Sequence, residues 1–349
     1  MLKVKIVGAG GYGGVGAVEI LSRHPEAELT SLVDVAEVGR RMSDLYPHLD
    51  GVCDLPLVSP DQDDRAADVV FFSTPDGVGM SNVTSHLDSG ARVVDYSGDF
   101  RFNTVEAYAE YATRIGRSPD HACPEILADT AYGLCELHRS EIARAAVVGN
   151  PGCFAVSAIL GATPAVKHGL VDPASLIFDA KTGVSGAGKK ANSIFHYPHR
   201  YEEMNAYKIA KHQHVMEVER ELGILAGEAL RVTFTTQVVP VVRGIMTCCY
   251  AALAEGVSYD ALLAAYRDFY EDEPFVTVVD ESRSTGNRAI RGSNRCALWV
   301  NMDRRSGRMI VVSHIDNLLK GQAGSAVQNM NVMFGLEESV GLDFCGAYP

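Results

Sequence analysis

A glycine-rich turn near the start of the chain constrains the fold more than any other feature. Residues 8–13 read GAGGYG, follow the apolar run KVKIV and lead into the amphipathic run VGAVEILSRH. A GxGxxG pattern between a strand and a helix predicts a turn whose backbone N–H groups and helix N-terminus hold the pyrophosphate of a dinucleotide. The candidate cofactor-binding residues of this turn are Gly8, Gly10, Gly11, Tyr12 and Gly13.

The spacing of apolar residues divides the chain into two domains. Over residues 1–150, short apolar runs alternate with helix-like stretches, which predicts an α/β, Rossmann-type domain built on a parallel sheet. From Pro151 the apolar segments become longer and richer in β-formers, so residues 151–316 are predicted to form a mixed α+β domain. In the tail, one helical face carries Ala323, Val327, Met330 and Phe334. We therefore expect a C-terminal helix within residues 317–349 to complete the first domain.

Composition and charge exclude several classes of function. The 349 residues include 31 Lys and Arg against 44 Asp and Glu, and the net charge of −13 would repel nucleic acid or an anionic membrane. No apolar run approaches the ~20 residues of a membrane helix. The eight cysteines show no zinc-ligand spacing, so we expect no metal. The first residues lack a signal-peptide pattern, and we expect a cytoplasmic protein with no nucleic-acid or membrane partner.

Three charged residues after the second predicted strand bear on the choice of dinucleotide. Asp34 lies where an acidic residue accepts the ribose hydroxyls of NAD. Arg40 and Arg41 follow closely, and guanidinium groups there could instead hold the 2′-phosphate of NADP. These residues leave both dinucleotides open.

One cysteine has the setting of a nucleophile. Cys153 follows Asn150-Pro151-Gly152 and precedes the apolar, helix-like run FAVSAILGATPAV. Backbone N–H groups and the dipole at a helix N-terminus favour a thiolate, and the flanking Pro and Gly expose the sulfur. We therefore predict that Cys153 is the nucleophile.

A nucleophilic thiolate needs an acid/base partner, and the densest group of histidines is in KHQHVME. His212 and His214 are two positions apart at a predicted helix start, so we expect them to point in different directions and only one to meet the cysteine. Glu217 could orient a histidine or be a solvated helix charge. Candidate holders of a phosphate or carboxylate are Arg101, Lys189, Lys190 and Arg243.

A set of ordered motifs identifies a resemblance that extends along nearly the whole chain. The motifs are GAGGYGG, LYPHL, DYSGDFRF, YGLCELHR, GNPGCF, TGVSGAGKK, KHQHVMEVE, PVVRGI, DNLLKGQAGSAVQNMNVM and GAYP. Together they resemble the N-acetyl-gamma-glutamyl-phosphate reductases of arginine biosynthesis, in the wider semialdehyde dehydrogenase group. The chain departs from the usual family pattern at Asp34, Val35, Asp76, Cys135, Gln213, Met216 and Val242.

The resemblance implies a role for each part of the chain. It implies that Cys153 is the catalytic thiol, that His212 is the acid/base group, and that the second domain carries catalysis and dimerisation. It implies NADP(H) as the cofactor, with Ser185, Gly186 and Asn317 adding to the cofactor site. The residues expected to contact substrate are Arg101, Asn150, Lys189, His214, Glu217 and Arg243.

The implied activity is NADPH-dependent reduction of N-acetyl-gamma-glutamyl phosphate to the semialdehyde, through a thioester on Cys153. The partner is then a small acyl phosphate, and the protein is a homodimer or homotetramer. One alternative substrate is an aminoadipyl phosphate on an acidic carrier protein of lysine biosynthesis, which the charge of −13 disfavours. Two further alternatives are a dinucleotide-binding protein without catalysis, and a hydroxy-acid or alcohol dehydrogenase that needs no thiol.

Overall fold

The computed structural model describes residues 1–347 and divides them into two compact units. The first unit is Met1–Pro151 with Gln322–Phe344, and the second is Gly152–Gly321 with residues 345–347. The C-terminal part of the first unit is therefore shorter than the predicted 317–349. Asn317 belongs to the second unit because its side-chain amide bonds there to Ser185 and Gly244.

The first unit is built on a seven-stranded parallel sheet, which confirms the predicted Rossmann-type α/β class. Its strands are β1 (Leu2–Val7), β2 (Ala27–Val33), β3 (Leu57–Val58), β4 (Val69–Phe72), β5 (Arg92–Asp95), β6 (Ala131–Tyr132) and β7 (Val147–Gly149). Its helices before residue 151 are α1 (Tyr12–Leu21), α2 (Met42–Leu45), α3 (Val78–Asp88), α4 (Val105–Arg114) and α5 (Cys135–Ile142). The strand order is β3-β2-β1-β4-β5-β7-β6. From β1, the chain adds β2 and β3 on one side of the sheet and then β4 and later strands on the other. Ligands bind at such a reversal of strand order in doubly wound sheets.

The second unit is built on a seven-stranded mixed sheet with helices packed against it, which confirms the predicted mixed α+β domain. Its strands are β8 (Ile177–Thr182), β9 (Asn205–Ala206), β10 (Thr233–Val238), β11 (Ile245–Ala252), β12 (Val276–Val279), β13 (Cys296–Asp303) and β14 (Arg308–Ile315). Its helices are α6 (Cys153–Lys167), α7 (Tyr197–Arg200), α8 (Val215–Ala226) and α9 (Tyr259–Phe269). The strand order is β12-β13-β14-β11-β8-β10-β9.

Helix α6 is the centre of the second unit. Every residue from Phe154 to Val166 is buried, because the helix is apolar on all sides and packs against α8, α9 and the sheet. The Ser157 hydroxyl meets Thr247 Oγ1 at 2.9 Å and Ser313 Oγ at 3.1 Å, which pairs the few polar groups at this interface. The helix that begins at Cys153 is therefore held firmly by its surroundings.

The two faces of the mixed sheet differ in burial. Thr247 on β11 faces α6 and is buried, so Met246 and Tyr250 face away, because side chains alternate along a strand. These two are half-buried, as are Ile310 and Val312 on the neighbouring strand β14. The part of the sheet formed by β11 and β14 thus presents half-buried apolar side chains opposite α6.

The predicted C-terminal helix is present in the first unit. Helix α10 (Gly324–Met333) is buried along its whole length and packs against α1 and α5. The five residues before it, Leu319–Ala323, form a π-helical turn. Among residues 1–347, no helix is long and apolar enough to cross a bilayer.

A buried carboxyl group ends β5 in the first unit. Asp95 Oδ1 accepts hydrogen bonds from the backbone N–H of Ser97, at 2.8 Å, and from the Ser97 hydroxyl. Complete burial and the neighbouring Asp99 raise the pKa of Asp95 to about 8. The folded protein therefore binds this proton more tightly than the unfolded chain does.

We expect Asp95→Asn to remove a pH-dependent loss of stability. With a pKa raised above its ordinary value, Asp95 contributes stability that is lost as the pH rises from about 4 through the folded pKa of about 8. The free energy of unfolding of the variant should therefore increase relative to wild type by up to ~1.4 kcal/mol per pH unit. Urea unfolding at several pH values in this range measures it, with the exposed Asp88→Asn as control. If the free energies of unfolding of variant and wild type differ by the same amount at every pH, the raised pKa of Asp95 is contradicted.

Candidate functional site

The glycine turn of the first unit follows β1 at the reversal of strand order. Gly8 has a φ of +82°, and a Cβ placed on it would lie 2.3 Å from the carbonyl oxygen of Ser73, which follows β4. A larger residue is thus excluded by both backbone conformation and space. Helix α1 begins at Tyr12, and no side chain caps it at Gly11. The turn therefore presents an uncapped helix N-terminus, the feature that binds phosphate groups.

Asp34 lies beside this turn. Its Oδ2 accepts the N–H of Gly10 at 2.8 Å, and its Oδ1 accepts the N–H of Ala36 at 2.9 Å. A Cβ on Gly10 would come within 2.8 Å of the same carboxylate, so the turn and the acid form a narrow cradle. A glycine turn beside an acidic residue is the arrangement with which doubly wound folds bind the pyrophosphate and ribose of a dinucleotide.

The two arginines after Asp34 pair with neighbouring acids. Arg40 bonds Glu37 at 2.9 Å and Arg41 bonds Asp44 at 3.0 Å. Both arginine side chains are about half exposed, at 49% and 57%. Exposed pairs of this kind contribute only ~0–1 kcal/mol, so either guanidinium can turn to an incoming phosphate at small cost.

Cys153 is the first residue of α6 and is partly exposed. Gly152 is its N-cap residue, and no side chain caps the helix there. A Cβ on Gly321 would lie 2.7 Å from Cys153 Cβ, so only glycine at position 321 leaves this space beside the thiol. Five of the other seven cysteines are buried. Cys153 is thus set apart by its helix start and its exposure.

A buried glutamate holds the backbone next to Cys153. Glu217 Oε2 accepts the N–H of Gly152 at 2.9 Å, and Glu217 is only 1% exposed. The alternative of a solvated helix charge is therefore wrong for this residue. The ring of His214 lies against Gly152, where an added Cβ would be 2.4 Å from Nε2. Gly152 is thus positioned by Glu217 and His214 together.

The two histidines lie together. Their ring centroids are 4.6 Å apart, so the expectation that they point in different directions is wrong. The reason is local: α8 begins only at Val215, and the turn before it folds so that His214 N–H donates to His212 Nδ1 at 3.2 Å. With Nδ1 accepting, neutral His212 carries its proton on Nε2. The ring of Phe154, next to Cys153, is 5.1 Å from that of His212.

Tyr207 belongs to the same cluster, although no sequence motif singled it out. Its ring lies 5.7 Å from His212, and burial together with the charge of Cys153 raises the pKa of Tyr207. Tyr207 is therefore a neutral phenol that interacts electrostatically with the sulfur of Cys153. No spacing rule in the sequence indicates it, because β9 and the turn after it bring Tyr207 to His212.

Arg243 is held in place by a buried acid. Its Nε and Nη2 bond Asp316 Oδ1 at 3.2 and 3.0 Å, and its side chain is 27% exposed. In the same region Asn317 bonds the Ser185 hydroxyl at 2.9 Å and the Gly244 N–H at 2.7 Å. The structure therefore brings Ser185 and Asn317 together, and the adjacent Gly186 is exposed, as is Lys189.

Two candidate substrate residues of the first unit have structural partners. The Arg101 guanidinium is buried and donates to the carbonyl oxygens of Asn150, at 2.8 Å, and Tyr96, at 2.6 Å. The Asn150 side chain bonds Gln322 at 3.0 Å and Asn329 at 3.1 Å. These contacts favour a role in fixing the backbone around Asn150 over direct contact with substrate.

No three His, Cys, Asp or Glu side chains within residues 1–347 are grouped so that they could hold a metal ion.

A buried cation that no sequence motif singled out is Arg200, which bonds Asn205 at 2.6 Å through Nη2. Its Nε and Nη1 have no hydrogen-bond partner in the described part of the chain.

Family models match both units. Residues 3–145 match "Semialdehyde dehydrogenase, NAD binding domain" and residues 153–317 match "Semialdehyde dehydrogenase, dimerisation domain". Among solved structures, aspartate semialdehyde dehydrogenase II from Vibrio cholerae has a TM-score of 0.73 at 15% identity, covering 96% of this chain and 98% of that one. Aspartate semialdehyde dehydrogenase with NADP from Candida albicans has a TM-score of 0.67 at 16% identity, with coverages of 96% and 98%. The TM-scores show that this chain shares the fold of these two proteins.

Curated relatives are much more similar in sequence. The N-acetyl-gamma-glutamyl-phosphate reductase of Geobacter sp. (strain M21) is 41% identical over 352 aligned residues, covering all of both chains. The same-named protein of Desulforudis audaxviator (strain MP104C) is 42% identical, again over the full length of both. The resemblance found in the sequence is confirmed, and this chain belongs to the N-acetyl-gamma-glutamyl-phosphate reductase family of semialdehyde dehydrogenases.

Proposed function

We propose that this chain catalyses the NADPH-dependent reduction of N-acetyl-gamma-glutamyl phosphate to N-acetylglutamate 5-semialdehyde, with release of phosphate, in arginine biosynthesis. The observation that carries the proposal is the placement of Cys153 at the start of α6, beside a backbone bound by Glu217 and a pair of histidines. Full-length identity to the curated reductases supports the same substrate.

The first chemical step uses Cys153 as the nucleophile. Its thiolate attacks the acyl carbon, the carbon–sulfur bond forms, and the carbon–oxygen bond to phosphate breaks, so that phosphate leaves and a thioester remains. The uncapped backbone N–H groups at the start of α6 can stabilise the negative oxygen that develops, a contribution of ~3 kcal/mol per donor in comparable sites. His212 takes the thiol proton at Nδ1, its unprotonated nitrogen, and gives up the hydrogen bond from the backbone N–H of His214 as the thiolate forms.

The second step reduces this thioester. NADPH, when bound, supplies a hydride to the thioester carbon. The carbon–sulfur bond then breaks, the semialdehyde leaves, and His212 returns the proton to sulfur. Before the reaction, the backbone N–H of His214 keeps the His212 ring in one tautomer. Glu217 holds Gly152, so that the thiol keeps its place at the helix start. Each residue of the cluster then has a separate task.

Binding of the two ligands uses charges on different parts of the chain. The glycine turn and Asp34 would hold the pyrophosphate and ribose of the cofactor, and Arg40 and Arg41 the 2′-phosphate. Ser185, Gly186 and Asn317 are proposed to complete the cofactor site. Anionic groups of the substrate are assigned to Arg243, which Asp316 holds in one orientation. Lys189, His214 and Glu217 are proposed as further substrate-binding residues.

We also propose that the protein is a homodimer or homotetramer located in the cytoplasm. The half-buried apolar side chains of β11 and β14 opposite α6, which are Met246, Tyr250, Ile310 and Val312, suit contact with a second copy. The family model for residues 153–317 is described as a dimerisation domain, which supports this use of the sheet.

Cys153→Ser should lower kcat by roughly 10³-fold or more, because a serine alkoxide forms far less readily than a thiolate. NADPH affinity and thermal midpoint should stay at wild-type values. The assay is the reverse reaction, with N-acetylglutamate semialdehyde, phosphate and NADP⁺, beside fluorescence titration with NADPH. The buried Cys296→Ser serves as control. A variant at Cys153 that keeps several per cent of kcat would end the covalent mechanism.

His212→Ala should lower kcat by roughly 10²- to 10⁴-fold with a modest change in KM, as loss of a general acid/base does. His214→Ala should act mainly on KM. Thermal midpoints measured beside the kinetics separate catalysis from stability. If His212→Ala melts well below wild type yet turns over at a near-normal rate, the histidine pair is structural.

NADPH should bind more tightly than NADH. The double variant Arg40→Ala, Arg41→Ala should lose about tenfold in NADPH affinity, which corresponds to ~1.4 kcal/mol, with little change for NADH. Fluorescence titration of both dinucleotides measures this. Tighter binding of NADH, together with unchanged NADPH affinity in the double variant, would instead make Asp34 the determinant of an NAD-preferring site.

A further inference from the structure

A cavity lies in the second unit, beside the edge strand β12. Its volume is about 730 Å³, which is within the range of small-molecule sites. The wall consists of Thr277 and Val279 of β12, residues 283–290, Arg295, and Ala297 of β13. None of the residues used in the proposed mechanism lines it.

The wall of this cavity is strongly basic. Arg283, Arg288 and Arg295 all line it, and no Asp or Glu does. The two acids that precede it along the chain are engaged elsewhere: Asp280 bonds Arg267 at 2.8 Å, and Glu281 bonds Arg304 at 3.0 Å. Three exposed arginines thus line one cavity in a chain whose net charge is −13.

A cluster of arginines is suited to binding anions. Guanidinium groups bind carboxylates and phosphates through paired hydrogen bonds, and each bound anion also relieves repulsion among the arginines. The hydroxyls of Thr277, Ser284 and Thr285 add donors, while Val279 and Ile290 give the cavity an apolar side. A ligand with a single charge would leave at least one arginine uncompensated, so a polyanion fits best.

The cavity wall is connected to Arg243. The Asn287 side chain, which lines the cavity, donates to the Arg243 carbonyl oxygen at 2.7 Å. At the end of the same loop, Gly292 N–H donates at 2.7 Å to Asp316, the acid that holds the Arg243 guanidinium. A ligand that moves residues 286–292 therefore acts on both the backbone and the side chain of Arg243.

We propose that this cavity is a regulatory site for a small organic polyanion carrying two or more carboxylate or phosphate groups, and that its occupancy changes the affinity for the acyl substrate through Arg243. The binding half of the proposal stands on the cavity alone. The regulatory half rests on the proposed function, in which Arg243 holds an anionic group of the substrate.

Isothermal titration of the full chain with citrate, and separately with inorganic pyrophosphate, tests the binding half. Saturating NADP⁺ is present so that pyrophosphate cannot occupy the glycine turn. The double variant Arg288→Gln, Arg295→Gln should weaken binding at least tenfold. The control Arg231→Gln, Arg305→Gln removes the same charge outside the cavity and should bind as wild type does. Binding of citrate alone would assign a polycarboxylate, and of pyrophosphate alone a phosphate ligand.

If neither anion binds, or if both double variants lose the same amount of anion affinity, the proposed anion site is wrong. For the regulatory half, the better-bound anion should shift the KM for N-acetylglutamate semialdehyde in wild type and in the control, but not in the Arg288, Arg295 variant. The same shift in all three proteins would place the effect at the active site and overturn the coupling. If the semialdehyde is not a substrate while the titration result holds, the proposed function fails and the anion site remains.

Discussion

The hydrogen bond from Gly152 N–H to Glu217 is the contact on which the site depends. It joins the start of α6 to α8 across 65 residues of sequence, and both partners are buried. A carboxylate that accepts a backbone N–H in a buried setting is costly to remove, because its loss leaves the N–H unsatisfied. The bond therefore fixes the residue before Cys153, while the packing of α6 fixes the residues after it. The thiol is therefore partly exposed at the start of a helix whose neighbouring residues are held on both sides.

Local patterns in the sequence were sufficient to predict the fold class and the ends of key elements. The glycine turn after β1, the helix that begins at Cys153 and the buried helix α10 were all predictable from the spacing of apolar residues and from Gly and Pro positions. These features are local, since each depends on about ten neighbouring residues. The resemblance to the reductase family was also readable, because its motifs keep their order along the whole chain.

Contacts between distant segments could not be predicted in the same way. The edge-to-face contact between His212 and His214 depends on a turn before α8 that the helical period does not reveal. Tyr207 reaches His212 only because β9 pairs with β10. Arg101 looked like a substrate-binding cation, but burial and two backbone carbonyls give it a different setting. In each case tertiary packing, and not residue type, decides the role.

The central claim, a thioester on Cys153, can be tested most directly by mass spectrometry of the intact protein. Wild-type protein would be mixed with N-acetylglutamate semialdehyde and NADP⁺ in the absence of phosphate, so that the acyl group has no acceptor except water. We expect a mass increase of one N-acetylglutamyl group, located on the peptide that contains Cys153 and removed by hydroxylamine. An unmodified Cys153 in a preparation that turns over when phosphate is added would contradict the account.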